Sequence, residues 1–143
     1  NPAAVEAILN ADVVTIGPGS WFSSVIPHLL IPEIAQALTD TDATVIVILN
    51  LSPEAGETPG FTTERHIHVF NQHAPALKVD HFLADSGITL SEGERTYLQR
   101  AAATSGAEVT FADLAEVDAD GQRTIRHDPE KLAAAITALV RGN

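Results

Sequence analysis

The run Thr44-Val45-Ile46-Val47-Ile48-Leu49 admits few folds. Its residues are β-branched or aliphatic almost without a break, so neither a helical stripe nor a polar alternation is present. A strand apolar on both sides needs cover on both sides. That is the situation of a strand inside a parallel sheet. The strand is expected over Thr44 to Leu51.

Helical and strand patterns alternate around it. Val5, Ile8 and Leu9 share one face of a helix over Ala3 to Leu9, with Pro2 suited to its first turn. Asp12 to Ile16 is a short apolar strand. Gly17-Pro18-Gly19-Ser20 ends it, and a helix with Val25, Ile26, Leu29 and Leu30 inward follows. Pro32 starts a second short helix, Glu33 to Leu38. Beyond the central strand come a Pro/Gly/acid loop over Ser52 to Phe61 and a helix opened by Thr62 or Thr63 and running to about His73. Next are a weaker strand, Val79 to Ala84, and a helix from Ser91 to Ser105. Ser91 and Glu94 form a capping box at its start, and Gly106 stops it. A strand over Glu108 to Ala112, a turn at Asp118 to Gly121 and a helix from Pro129 to Val140 complete the chain.

The order α-β-α-β-α-β-α-β-α predicts an α/β fold: a doubly wound, mostly parallel sheet with helices on both faces, Rossmann-like and three-layered. Residues 1–143 form a single unit with no internal repeat. The chain opens with Asn, and a helix with the best ligand loop comes first. It is therefore expected to be the carboxy-terminal half of a longer domain.

Charge narrows the partners. With 19 acidic and 8 basic residues the net charge is -11. Nucleic acid and anionic membrane surfaces both demand a basic face, so neither is expected. A small anion is compatible, because backbone N–H groups at a helix start hold one without net positive charge. Cysteine is absent, which excludes disulfides and thiolate metal sites and favours the cytoplasm. No apolar run is long enough to cross a bilayer.

Three loops carry the residues that could do chemistry. In the first, Gly17 and Gly19 allow close backbone approach, while Ser20, Ser23 and Ser24 offer hydroxyls beside a helix start. The residues alone fit an anion site or a plain strand–helix turn equally well. The loop is neither a Walker loop, which requires Lys, nor a dinucleotide fingerprint, whose third Gly is Phe22 here. In the second, Asn50, Glu57 and Thr58 follow the central strand. They form either a wall of a ligand site at the carboxyl edge of the sheet or an ordinary surface loop. In the third, Arg126 precedes an Asp128 cap and Pro129. It suits bidentate phosphate pairing or a surface salt bridge, and the salt bridge is the default without other information. The six histidines lack metal-ligand spacing, and no Gly-x-Ser-x-Gly elbow surrounds Ser20.

Together these loops resemble the YvcK-like, or gluconeogenesis-factor, branch of the CofD-like family. The resemblance is carried by Gly17-Pro18-Gly19-Ser20 with Ser23-Ser24 and Pro27, by Asn50 with Gly56-Glu57-Thr58, and by Arg126-His127-Asp128. It covers about Ala3 to Leu139. Trp21-Phe22 stand where Leu-Tyr is commoner, and Pro53-Glu54-Ala55-Gly56 replaces a shorter Pro-Gly spacer.

The resemblance implies a cytoplasmic protein that binds UDP-N-acetylglucosamine as a non-catalytic regulator, linked to cell shape, peptidoglycan synthesis and gluconeogenic growth. In that reading Gly17, Gly19, Ser20, Ser23 and Ser24 line the anion site, and Asn50, Glu57 and Thr58 wall it. Arg126 pairs the diphosphate. No cofactor is required, and a homo-oligomer is left open. The alternative is a CofD-type transferase moving a 2-phospholactyl group onto a deazaflavin with Mg²⁺. That branch usually has Asn-Pro where this chain has Ser20-Trp21.

Overall fold

A computed structural model describes residues 2–17, 31–49, 67–68, 71–72, 77, 79–87, 91–104 and 106–141. Its regular elements are α1 (Pro2–Asn10), β1 (Val13–Ile16), α2 (Pro32–Asp40), β2 (Thr44–Ile48), β3 (His81–Asp85), α3 (Glu92–Ala103), β4 (Glu108–Ala112), β5 (Ala115–Val117), β6 (Arg123–His127) and α4 (Pro129–Arg141).

Strands β1 to β4 form one parallel sheet in the order β1-β2-β3-β4. Val13 pairs with Thr44, Ile46 with His81, and His81 with Glu108. The expected parallel arrangement is therefore present. Because all four strands run the same way, their carboxyl ends, at Ile16, Ile48, Asp85 and Ala112, form one edge.

The sheet is covered on both faces, as the unbroken apolar run requires. Val47, Leu49, Phe82, Ala84 and Val109 pack against Leu38 of α2 and Leu98, Ala101 and Ala102 of α3, with Ile67 between. On the other face, Ile46, Ile48 and Leu83 meet Leu132, Ala135, Ile136 and Leu139 of α4. The alternate residues Ile46/Ile48 and Val47/Leu49 thus enter opposite cores, the period-two signature of a strand with no wet side.

Local chemistry sets the helix boundaries. Ser91 accepts from the Glu94 N–H at 3.1 Å, and the Glu94 carboxylate accepts from the Ser91 N–H at 3.1 Å. This is the expected capping box. Gly106 follows α3 at φ +76°, a conformation that costs glycine nothing. Gln99 of α3 then reaches β4. Its amide donates to the Val109 carbonyl at 3.1 Å and accepts from the Val109 N–H at 3.2 Å. A side-chain amide thereby stands in for a neighbouring strand on the outer side of β4.

One element differs from expectation. The turn at Asp118 to Gly121 belongs to an antiparallel hairpin, β5–β6, with Ala115 opposite His127 and Val117 opposite Arg123. The sequence order contains no such pair. Strand β5 is only three residues long, too short for a periodic signal. The β-branched pair Thr124-Ile125 just after an Asp-Gly turn is the signal that identifies it. The expected helices after Gly17 and after Thr62 fall largely outside the described residues.

Candidate functional site

The hairpin sits at the carboxyl edge of the sheet, and Asp85 holds it there. Asp85 is the last residue of β3, and only 5% of it is exposed. Its Oδ1 accepts the Leu114 N–H at 2.8 Å. Its Oδ2 accepts the Gly87 N–H at 3.0 Å and a guanidinium N–H of Arg123. Burial pushes the Asp85 carboxyl up. The bonds from Leu114, Arg123 and Gly87 outweigh that effect and hold it below the ordinary carboxylate value.

Arg123 is shared. Its Nη2 faces Asp85, and its Nη1 donates to Asp113 at 2.9 Å. Lys131 of α4 reaches the same Asp113 at 3.0 Å and donates to the Ala115 carbonyl at 2.9 Å. Lys131 and Arg123 together hold the exposed Asp113 carboxyl below its usual value. Two carboxylates and two cations thus neutralise one another where the hairpin meets the sheet.

Gly87 is required by space. A Cβ there would lie 2.7 Å from Asp85 Oδ2 and 2.9 Å from both Nε and Nη2 of Arg123. Gly87→Ala is expected to push the guanidinium away from Asp85 and cost about 1–3 kcal/mol. Urea unfolding of the variant checks this; an unchanged midpoint would contradict the tight fit.

His127 anchors the far end of β6. It bonds the backbone at Leu49, just past β2, and feels the Asp85 charge. Its Nε2 is buried without a hydrogen-bond partner. Burial pushes the imidazole below its ordinary value of 6.5, against the Leu49 bond and Asp85. The neutral ring is therefore the form that fits. The unfolded chain takes up a proton below pH 6.5 while the folded one resists until lower pH. Stability is full above that pH and falls as pH drops below it. His127→Gln is expected to flatten this slope in unfolding measured from pH 7.5 to 5.5. An unaltered slope would contradict the buried neutral state.

The described residues place two of the sequence-predicted site residues. Gly17 ends β1 at φ +85°, the left-handed conformation that glycine tolerates. Arg126 lies on β6, but its side chain is 78% exposed and only 3.8 Å from Glu116. Arg123 and His127 reach the sheet at Asp85 and Leu49, while Arg126, in the stretch of β6 where the pairing with β5 shifts register, is exposed. Of Arg123, Arg126 and Lys131, Arg126 makes the longest carboxylate contact. Gly19, Ser20, Ser23, Ser24, Asn50, Glu57 and Thr58 lie outside the described residues. Sequence reading gave no role to Asp85, Gly87, Asp113, Arg123 or Lys131, and none to His127 beyond its place in the Arg-His-Asp motif. Only an acid closing an apolar strand hinted at Asp85.

A parallel sheet, helices on both faces and a polar cluster at the strand ends define an α/β protein of the Rossmann-like class, whose ligands bind at that edge. Residues 1–129 match the family described as 2-phospho-L-lactate transferase CofD, and the chain belongs to that family. Among its relatives is a gluconeogenesis factor of Mycobacterium tuberculosis, 50% identical over 136 residues. The match takes in 95% of this chain and 38% of the relative. One from Mycobacterium leprae is 46% identical over 140 residues, 98% of this chain and 38% of the relative. A crystal structure of a UPF0052 family member from Bacillus halodurans superposes with a TM-score of 0.72 at 28% identity, covering 94% of this chain and 46% of that one. The chain thus spans well under half the length of these mycobacterial relatives. No helix among the described residues is long and apolar enough to cross a membrane.

Proposed function

We propose that this chain forms part of a site for UDP-N-acetylglucosamine, or a related phosphorylated nucleotide sugar, in a cytoplasmic regulator of gluconeogenic growth, cell shape and peptidoglycan synthesis. The observation that carries the reading is Arg126. It is an exposed guanidinium whose contact to the half-exposed Glu116 is a long 3.8 Å, on a hairpin pinned to the carboxyl edge where α/β folds bind ligands. Gly17 in its left-handed conformation, opening the glycine-serine loop at the same edge, supports it. The name gluconeogenesis factor borne by the mycobacterial relatives agrees with it. In this reading the Gly17-to-Ser24 loop contributes backbone amides and hydroxyls. Arg126 pairs the diphosphate, and Asn50, Glu57 and Thr58 form the adjoining wall.

Arg126→Ala in the full-length protein is expected to weaken UDP-N-acetylglucosamine binding about tenfold, since a hydrogen bond to a charged group contributes roughly 1.5–3 kcal/mol. Its thermal midpoint should stay put, because the side chain is exposed and weakly paired. Calorimetry beside thermal unfolding checks both, and unchanged affinity would remove Arg126 from the site.

The family description, 2-phospho-L-lactate transferase, supports a second reading as a transferase; the acceptor in that reading is a deazaflavin and the metal Mg²⁺. Among the described residues no three His, Asp or Glu side chains converge as a metal site. Asp85 and Asp113 are already engaged by Arg123 and Lys131. That pairing leaves neither of these two carboxylates open to a magnesium ion. A phosphodiester product from nucleotide-activated lactate and deazaflavin would establish the transferase.

A further inference from the structure

We propose that Arg123 is a positioning residue for the ligand site, a clamp that fixes β6 so that Arg126 is presented, exposed, at the sheet's carboxyl edge. The proposal rests on the reading that Arg126 pairs the ligand's diphosphate.

Arg123 opens β6, and Arg126 follows three residues later, inside the stretch where the pairing with β5 shifts register between Val117–Arg123 and Ala115–His127. Such an irregularity re-aims side chains, so an anchor at its Arg123 end helps set the direction of Arg126. The anchor is double: Nη2 on the buried Asp85 and Nη1 on Asp113 at 2.9 Å. These carboxylates come from different places, the end of β3 and the turn after β4, so the guanidinium ties β6 to both. A planar fork with fixed donor directions holds such a pair where a lysine makes only a point contact. Arg123 has committed these donors to protein carboxylates and is poorly placed to serve the ligand itself.

The rest of the hairpin is tied at other points. The Leu114 N–H binds Asp85, and the Asp128 N–H donates to the Leu114 carbonyl at 2.7 Å. His127 meets Leu49. On the outer face, by contrast, the Thr124 hydroxyl donates to the Glu116 carbonyl at 3.0 Å and accepts the Arg126 N–H at 3.2 Å. Those bonds stay within the hairpin. Among the described residues, Arg123 is the side chain of the turn-proximal half of β6 that reaches the sheet, and the Thr124 hydroxyl connects that half to the Arg126 N–H.

The test uses the full-length protein with Arg123→Gln, Arg123→Lys, Arg126→Ala and the double variant Arg123→Gln/Arg126→Ala. Without ligand, Arg123→Gln is expected to speed amide exchange in β5–β6 about tenfold or more while α3 stays protected, because a local clamp gates local opening. UDP-N-acetylglucosamine affinity should fall about tenfold in Arg123→Gln, recover in part in Arg123→Lys, and fall no further in the double variant than in Arg126→Ala alone. Unchanged hairpin exchange, or losses that add in the double variant, would overturn the positioning role; additive losses would mean that Arg123 touches the ligand. Binding that Arg126→Ala weakens and Arg123→Gln leaves intact would overturn this role alone. No binding by the unaltered protein would overturn the ligand reading, and the positioning role with it.

Discussion

Asp85→Ala is expected to lower folding stability by about 3 kcal/mol, with the hairpin region loosening first. The carboxylate accepts from the Leu114 N–H, the Gly87 N–H and Arg123, and it is almost wholly buried. Alanine supplies none of these acceptors. A buried backbone donor left without a partner costs roughly 1–3 kcal/mol. The ion pair itself adds less, because the Arg123 side chain is 41% exposed and water screens it. The orphaned N–H of the fully buried Leu114 therefore dominates, since Gly87 is exposed and water can replace its acceptor. Asp85→Asn should be milder: an amide oxygen can still accept from Leu114, while its NH₂ group faces donors at Gly87 and Arg123. The effect also carries a pH sign. The folded carboxyl titrates below its ordinary value of 3.8. Its contribution is thus complete above that pH and disappears as pH falls through the lower, folded value. Chemical unfolding at pH 7 and pH 3 separates the variants. Equal stability of Asp85→Ala and the unaltered protein at pH 7 would contradict the hub.

Phe82→Ala is expected to cost about 3–5 kcal/mol, the range for removing a fully buried aromatic ring. Phe82 is inaccessible to solvent, stands in one of the two central strands and packs with Leu98, Ala101 and Ala102 of α3. The sheet backbone cannot collapse into the gap, since β3 is held on both sides by parallel neighbours. Much of the ring's volume would remain as a cavity. The loss should show as a lower urea midpoint with little change in slope. Phe82→Leu should recover more than half of it, because much of the volume returns. A loss below about 1 kcal/mol would mean that the core repacks around β3.

These two residues also mark what the sequence discloses. Phe82 lies in an apolar strand, and apolar strands alternating with helices are enough to predict a parallel α/β sheet. Strand β2 was the strongest signal because both of its faces are apolar, and the structure buries both. The α3 capping box was legible because its partners are three residues apart. Asp85 is different. Its partners lie 29 and 38 residues further along the chain, at Leu114 and Arg123. No local pattern connects them. The hairpin was hidden for a related reason: each strand is short, and the pairing is defined by docking against Asp85 and Leu49. Sequence motifs therefore drew attention to Arg126, while the residues that hold its strand in place emerged only from three-dimensional contacts.

The central claim is that the carboxyl edge of this sheet serves a phosphorylated nucleotide sugar. Calorimetric titration of the full-length protein with UDP-N-acetylglucosamine tests it most directly, with Arg126→Ala titrated alongside. Saturable binding to the unaltered protein, weakened about tenfold by Arg126→Ala, is the predicted result. No heat of binding from folded, full-length protein would contradict the claim and leave phospholactyl transfer as the reading to pursue.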